Sequence, residues 1–132
     1  MRQRMSSRQR KVSNGSSAPG RATVRRSSAP PTGFCPRFHR AVELIGRRWT
    51  GAIVRVLIGG PKRFNELMNT VPGLSDRLLS ERLRELEAEG LVRREVAPGP
   101  PVCVTYHLTE SGQNLEPVIE SLGKWAEHWI KA

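Results

Sequence analysis

The 132 residues carry 22 basic and 12 acidic side chains, a formal net charge of +10, and 37% of them are hydrophobic. Such a length fits one domain with a modest core plus a tail, and it leaves no apolar run for a bilayer, since the best stretch, Ala52 to Ile58, is interrupted by Arg55. The two cysteines are too few for a disulfide framework and too far apart for a zinc cluster, and the three histidines lack ligand spacing. A reducing cytoplasm, with no secretory leader, metal or cofactor, is the expectation.

Charge is unevenly placed. Residues 1–33 hold eight basic side chains and no acid, so the remaining 14 basic and 12 acidic residues contribute only +2. Rich in Arg, Ser, Gly, Ala and Pro, this first segment buries too little to offset its ordering entropy, and a disordered arm is expected. Its two readings are nonspecific phosphate binding and a dispensable extension.

Order is expected from residue 34. Pro36 suits a first helical turn, and Phe38, Ala41, Val42 and Ile45 describe a short amphipathic helix ending at Gly46. Thr50 is placed to cap a second helix from Gly51 to Ile58, apolar nearly all round, although its β-branched run equally allows a strand. After Gly59-Gly60-Pro61 and a turn carrying the cations Lys62 and Arg63, Phe64, Leu67, Met68 and Val71 repeat at helical spacing. Pro72-Gly73 then turns the chain into a longer helix, which Ser75 or Asp76 caps and Gly90 closes. Its stripe of Leu79, Leu83 and Leu86 leaves Arg77, Ser80, Glu81, Arg84 and Ala88 on the opposite face. A short helix, a tight turn and a longer helix with a polar outer face make a helix-turn-helix.

Beyond Gly90 the period changes to two. Val92–Val96 and the alternating Val102, Val104, Tyr106 and Leu108 form a hairpin around a Pro- and Gly-rich turn, which is a wing. Thr109 caps the last segment, which Pro117 divides or kinks. Val118, Ile119, Leu122, Trp125 and Trp129 then form an apolar stripe, whose expected cover is a second subunit, with the domain core as the alternative. The fold class is therefore mainly α with a small β-hairpin wing, a winged helix-turn-helix whose terminal helices form a dimer interface.

Taken together, Cys35-Pro36, Leu44-Ile45-Gly46-Arg47-Arg48-Trp49-Thr50, Gly60-Pro61-Lys62-Arg63-Phe64-Asn65-Glu66-Leu67, Pro72-Gly73-Leu74-Ser75-Asp76-Arg77-Leu78-Leu79-Ser80-Glu81-Arg82-Leu83, Leu86 to Val92, Tyr106 to Gly112 and Trp125 resemble the HxlR-type family of bacterial transcriptional regulators, relatives of the MarR group. The resemblance implies a cytoplasmic homodimer, with residues 34–132 as its DNA-binding and dimerisation domain, on a near-palindromic double-stranded operator. It also implies a helix for residues 51–58. The DNA face would comprise Ser75, Asp76, Arg77, Ser80 and Arg84 in the major groove, Lys62 and Arg63 on the backbone, and Arg93 and Arg94 at the wing. Many members place a wing arginine three residues before the tyrosine; this chain has Cys103 there, so backbone contact is the expectation for the wing. Some relatives sense oxidants through a cysteine matching Cys35, which precedes a helix and has Arg37, His39 and Arg40 close in sequence. The competing reading is a winged-helix module for protein or RNA contact. An enzyme is not expected, since no nucleophile–base pair or Gly-rich phosphate loop is present.

Overall fold

The computed structural model describes residues 33–131; the expected basic arm, apart from Gly33, lies outside the described residues. In chain order the elements are α1 (Pro36–Ile45), α2 (Thr50–Ile58), β1 (Lys62–Arg63), α3 (Phe64–Thr70), α4 (Asp76–Ala88), β2 (Val92–Ala97), β3 (Cys103–Leu108), α5 (Glu110–Gln113) and α6 (Glu116–Trp129). The chain divides within α1, between His39 and Arg40, into two units. In the first, the Phe34 and His39 rings lie 5.4 Å apart. The elements from α2 onward belong to the second.

The core is built by α2, α3 and α4 over one face of the hairpin. Ile53, Val54 and Leu57 of α2 are buried, as are Leu67 of α3 and Leu79, Leu83 and Leu86 of α4. Each such side chain contributes roughly 1.5–3 kcal/mol of burial. That burial decides the helix-or-strand ambiguity of residues 51–58: Ile53, Val54 and Leu57 share one face only at helical spacing, and packing on α3, β3 and α6 overrides the β-branched propensity.

Helix α4 has both expected punctuation marks. Ser75, with extended backbone, accepts a hydrogen bond from the Leu78 N–H at 3.1 Å. At the far end Gly90 takes φ 79°, its N–H donates to the Glu87 carbonyl at 3.0 Å, and the Leu91 N–H donates to Leu86 at 2.9 Å. This paired closure sends the chain straight into β2.

The sheet has the order β1-β3-β2, antiparallel throughout, with Val92 opposite Leu108 and Ala97 opposite Cys103. Tyr106 and Leu108 face the core, as the alternation predicts, but Val102 precedes β3 and is exposed. Two other expectations are corrected. The residue that starts α2 is Trp49, in the left-handed region at φ 79° with no side-chain cap, and Thr50 is buried as the first helical residue. Lys62 and Arg63 are a strand, pairing with Tyr106 and Thr105, where the sequence reads as a turn. A two-residue strand is too short to show a period.

Thr109 caps α5, accepting from the Gly112 N–H at 3.2 Å, and Pro117 in the first turn of α6 separates the two helices. Gly112 is buried where any Cβ would collide with the Leu91 carbonyl oxygen and approach Leu108 Cδ2 to 2.9 Å. Gly112→Ala should therefore destabilise the fold by about 1–3 kcal/mol in denaturant titration; an unchanged midpoint would show that α5 is not seated on the hairpin base as described.

Candidate nucleic-acid interface

The turn from Val71 to Ser75 fixes where α4 begins, and the buried leucines fix how it is rotated. What remains outward is polar. Ser75, Asp76, Arg77 and Arg84 are exposed, and Ser80 and Glu81 are half-buried. Asp76 sits in the first turn, where the free N–H groups favour a carboxylate. The Arg77 side chain is 88% exposed and its Nε lies 3.6 Å from Glu81 Oε2, one turn along. Such an exposed pair is weak, so Arg77 is free to exchange Glu81 for another acceptor. Arg84 enters none of the ion pairs among the described residues. The helix thus presents two arginines, hydroxyls and its own N-terminal amides on one side, a set able to grip phosphate oxygens and guanine edges.

The two flanking sites differ in what they offer. Arg63 is exposed at the end of β1, and its N–H donates to Glu66 Oε1 at 2.7 Å, which closes the start of α3. Lys62 is half-buried, with Nζ 3.5 Å from the Gly60 carbonyl. Arg93 and Arg94, neighbours on β2, point to opposite faces of the hairpin, opposite His107 and Tyr106 respectively. Arg93 lies 3.1 Å from Glu95, which His107 Nε2 also approaches to 2.9 Å. The hairpin turn, Pro98 to Val102, carries no charge.

Cys35 is half-buried in the first unit, its Sγ accepting from the Phe38 N–H at 3.5 Å. Cys103 is also half-buried, on the face of β3 shared with Thr105 and His107. On α6, Val118, Leu122, Trp125 and Trp129 are all more than half exposed. Ile119 departs from the expected interface: it is 6% exposed and belongs to the protomer's own core. Sequence reasoning missed Arg82. It lies on α4 yet is buried, its Nε donating to the Arg48 carbonyl at 2.8 Å. The available signal was its position, three residues after Leu79 and beside Leu83 on the core-facing stripe. Phe38 and Val42 of α1, 70% and 50% exposed, are further apolar side chains without cover among the described residues.

A family model described as HxlR-like helix-turn-helix matches residues 44–132, which contain every element from α2 to α6. The chain belongs to this HxlR-like family. Among its relatives in Bacillus subtilis (strain 168), the HTH-type transcriptional regulator YvaP is 48% identical over 97 residues, covering 74% of this chain and 90% of that protein. The HTH-type transcriptional regulator YodB is 45% identical over 98 residues, covering 74% and 88%. The solved reduced form of YodB superimposes with a TM-score of 0.68 at 43% identity, over 75% of this chain and 97% of that one. The oxidized form of the redox regulator HypR gives 0.69 at 40% identity, over 74% and 100%. HxlR-like proteins are thus transcriptional regulators with a winged helix, as the element order here already indicates.

In this HxlR-like chain the cap of α4 is testable alone. Ser75→Ala should cost about 1 kcal/mol of stability and Ser75→Asp almost none, by denaturant unfolding. Equal losses in both variants would mean that the hydroxyl does not hold the Leu78 amide.

Proposed function

We propose that the protein is a DNA-binding transcriptional regulator that acts as a cytoplasmic homodimer on a near-palindromic operator. One observation carries the reading: α4 is capped, anchored by buried leucines and turned so that Arg77 and Arg84 are exposed together. A protein-interaction module has no need of that cationic face. Ser75, Arg77, Ser80 and Arg84 are assigned to the major groove, with Asp76 available to accept from a cytosine amine and Arg63 on the adjoining phosphates. Lys62 supports that contact if it leaves the Gly60 carbonyl. The opposed directions of Arg93 and Arg94 support at most one wing arginine on the backbone. Two copies of α4 would read half-sites about 34–36 Å apart.

The dimer reading rests on α6. Val118, Leu122, Trp125 and Trp129 follow a 4-3-4 spacing, the seam by which helices pair, and all stand exposed in the single chain. Large exposed aromatic side chains in such a row mark an interface rather than a solvated surface. A thiol response through Cys35 is supported by its partial exposure at the start of α1. YodB has been solved reduced, diamide-treated and quinone-bound, and HypR reduced and oxidized.

The deciding experiment titrates the full chain against DNA from upstream of its own reading frame, with scrambled competitor. Arg77→Ala and Arg84→Ala should each weaken operator binding by about tenfold or more while leaving the dimer intact; unchanged affinity in both would displace α4 as the reader. Replacing Trp125 and Trp129 by Gln should give monomer in sedimentation, and a DNA-competent dimer would refute the α6 seam. Peroxide should release the wild-type chain and leave Cys35→Ser bound; equal release of both would exclude Cys35 as the responsive thiol.

A further inference from the structure

Arg82 lies on the recognition helix between Arg77 and Arg84, yet only 9% of its side chain is exposed. Its guanidinium therefore has no path to DNA. A charge so buried is costly unless it is fully met, and here the partners come from two directions. Nε donates to the Arg48 carbonyl at 2.8 Å, while NH1 lies 3.4 Å from Glu85 Oε2 and 3.7 Å from Glu81 Oε1. Glu85 in turn accepts from Arg47 at 3.1 Å, so Arg47 and Arg48 are both tied to α4.

The carbonyl that Arg82 holds belongs to the peptide leading into Trp49. Trp49 stands at φ 79°, ψ −21°, a left-handed conformation that a bulky residue adopts only when its surroundings hold it there. Its ring turns onto the Pro72-Gly73 turn, so close that a Cβ on Gly73 would sit 3.2 Å from Cη2. Gly73 has φ 85°, and two residues later Ser75 caps α4. The links form a ring: Arg82 holds the Arg48 peptide, that peptide sets Trp49, and the Trp49 ring backs the turn from which α4 starts. The first turn and the middle of the helix are thereby referred to one short segment, Arg47–Trp49. Glu81 adds a link to the outer face, because it stands between Arg82 and Arg77.

We propose that Arg82 and Trp49 are positioning residues that seat the recognition helix, setting its placement against the α1–α2 connection and so the reach of Arg77 and Arg84. Neither contacts DNA. The proposal rests on the DNA-regulator reading and has one readout independent of it. Arg82→Met keeps an unbranched apolar stem, two atoms shorter, and removes every donor; Gly73→Ala disturbs the same ring from the other end.

In the full-length protein, both variants should speed hydrogen exchange of the amides at 47–50 and 76–79 and leave β2 and β3 unchanged. In operator titrations the preference for operator over scrambled DNA should fall by about tenfold or more, while nonspecific affinity and its dependence on salt stay at wild-type values. A salt slope reduced by about one in Arg82→Met would make Arg82 a phosphate contact and overturn the proposal. So would a folded Arg82→Met with wild-type exchange or undiminished preference. If Arg82→Met does not fold, Gly73→Ala decides by the same two readouts. A wild-type chain with no operator preference would defeat the regulator reading alone, and exchange at 47–50 and 76–79 would still decide the seat.

Discussion

Leu79, Leu83 and Leu86 lose nearly all contact with solvent, and turning them back out would cost several kcal/mol. That is a large part of the stability of a domain this small. Rotation of α4 about its axis is consequently not adjustable: 100° of turn would expose leucine and bury Arg84. The polar face is a by-product of this anchoring in the sense that no separate device is needed to aim it. Capping at Ser75 and the left-handed closure at Gly90 then fix where the helix starts and stops, and the wing follows from the closure.

Electrostatics on this domain are nearly balanced, and the way the charges pair is informative. Arg40 pairs with Glu89, Arg47 with Glu85, Arg77 with Glu81 and Arg93 with Glu95. Exposed pairs of this kind are worth roughly 0–1 kcal/mol each, so the carboxylate beside Arg77 is given up at small cost. A folded domain with +2 of the +10 charge attracts polyanions weakly at long range. Selectivity must then come from a few well-placed side chains, and the precision of their placement matters more than their number.

Most of this architecture was legible in the residues. The leucine stripe, the caps at Ser75 and Thr109, the break at Pro117 and the alternation in β3 are local patterns, each with a physical cause that acts within one turn or one strand. What escaped was long-range. Arg82 received no role because its acceptor lies 34 residues away at Arg48. Trp49 adopts a conformation that no propensity favours, since the surrounding contacts impose it. Lys62-Arg63 becomes a strand only because Tyr106 and Thr105 arrive beside it. Ile119 belongs to the same apolar stripe as Leu122 and Trp125, and only the position of the core decides that it faces inward. The face holding Arg77, Ser80 and Arg84 was readable from the helical wheel; the partial engagement of Lys62 and the opposed directions of Arg93 and Arg94 required the fold.

The hairpin is stapled where it leaves and rejoins the body. The Thr109 N–H donates to the Leu91 carbonyl at 3.0 Å, and its hydroxyl donates to the Gly90 carbonyl at 2.6 Å, so the two feet of the excursion are joined directly. Strain or added length at Pro98–Val102 is therefore absorbed before it reaches α4. That separation makes the turn a site of evolutionary licence: insertions, deletions and new charges there change the hairpin tip without re-aiming α4. Divergence among paralogues sharing this scaffold should accumulate first at the hairpin tip, as a means of acquiring new targets while the rest of the fold stays put.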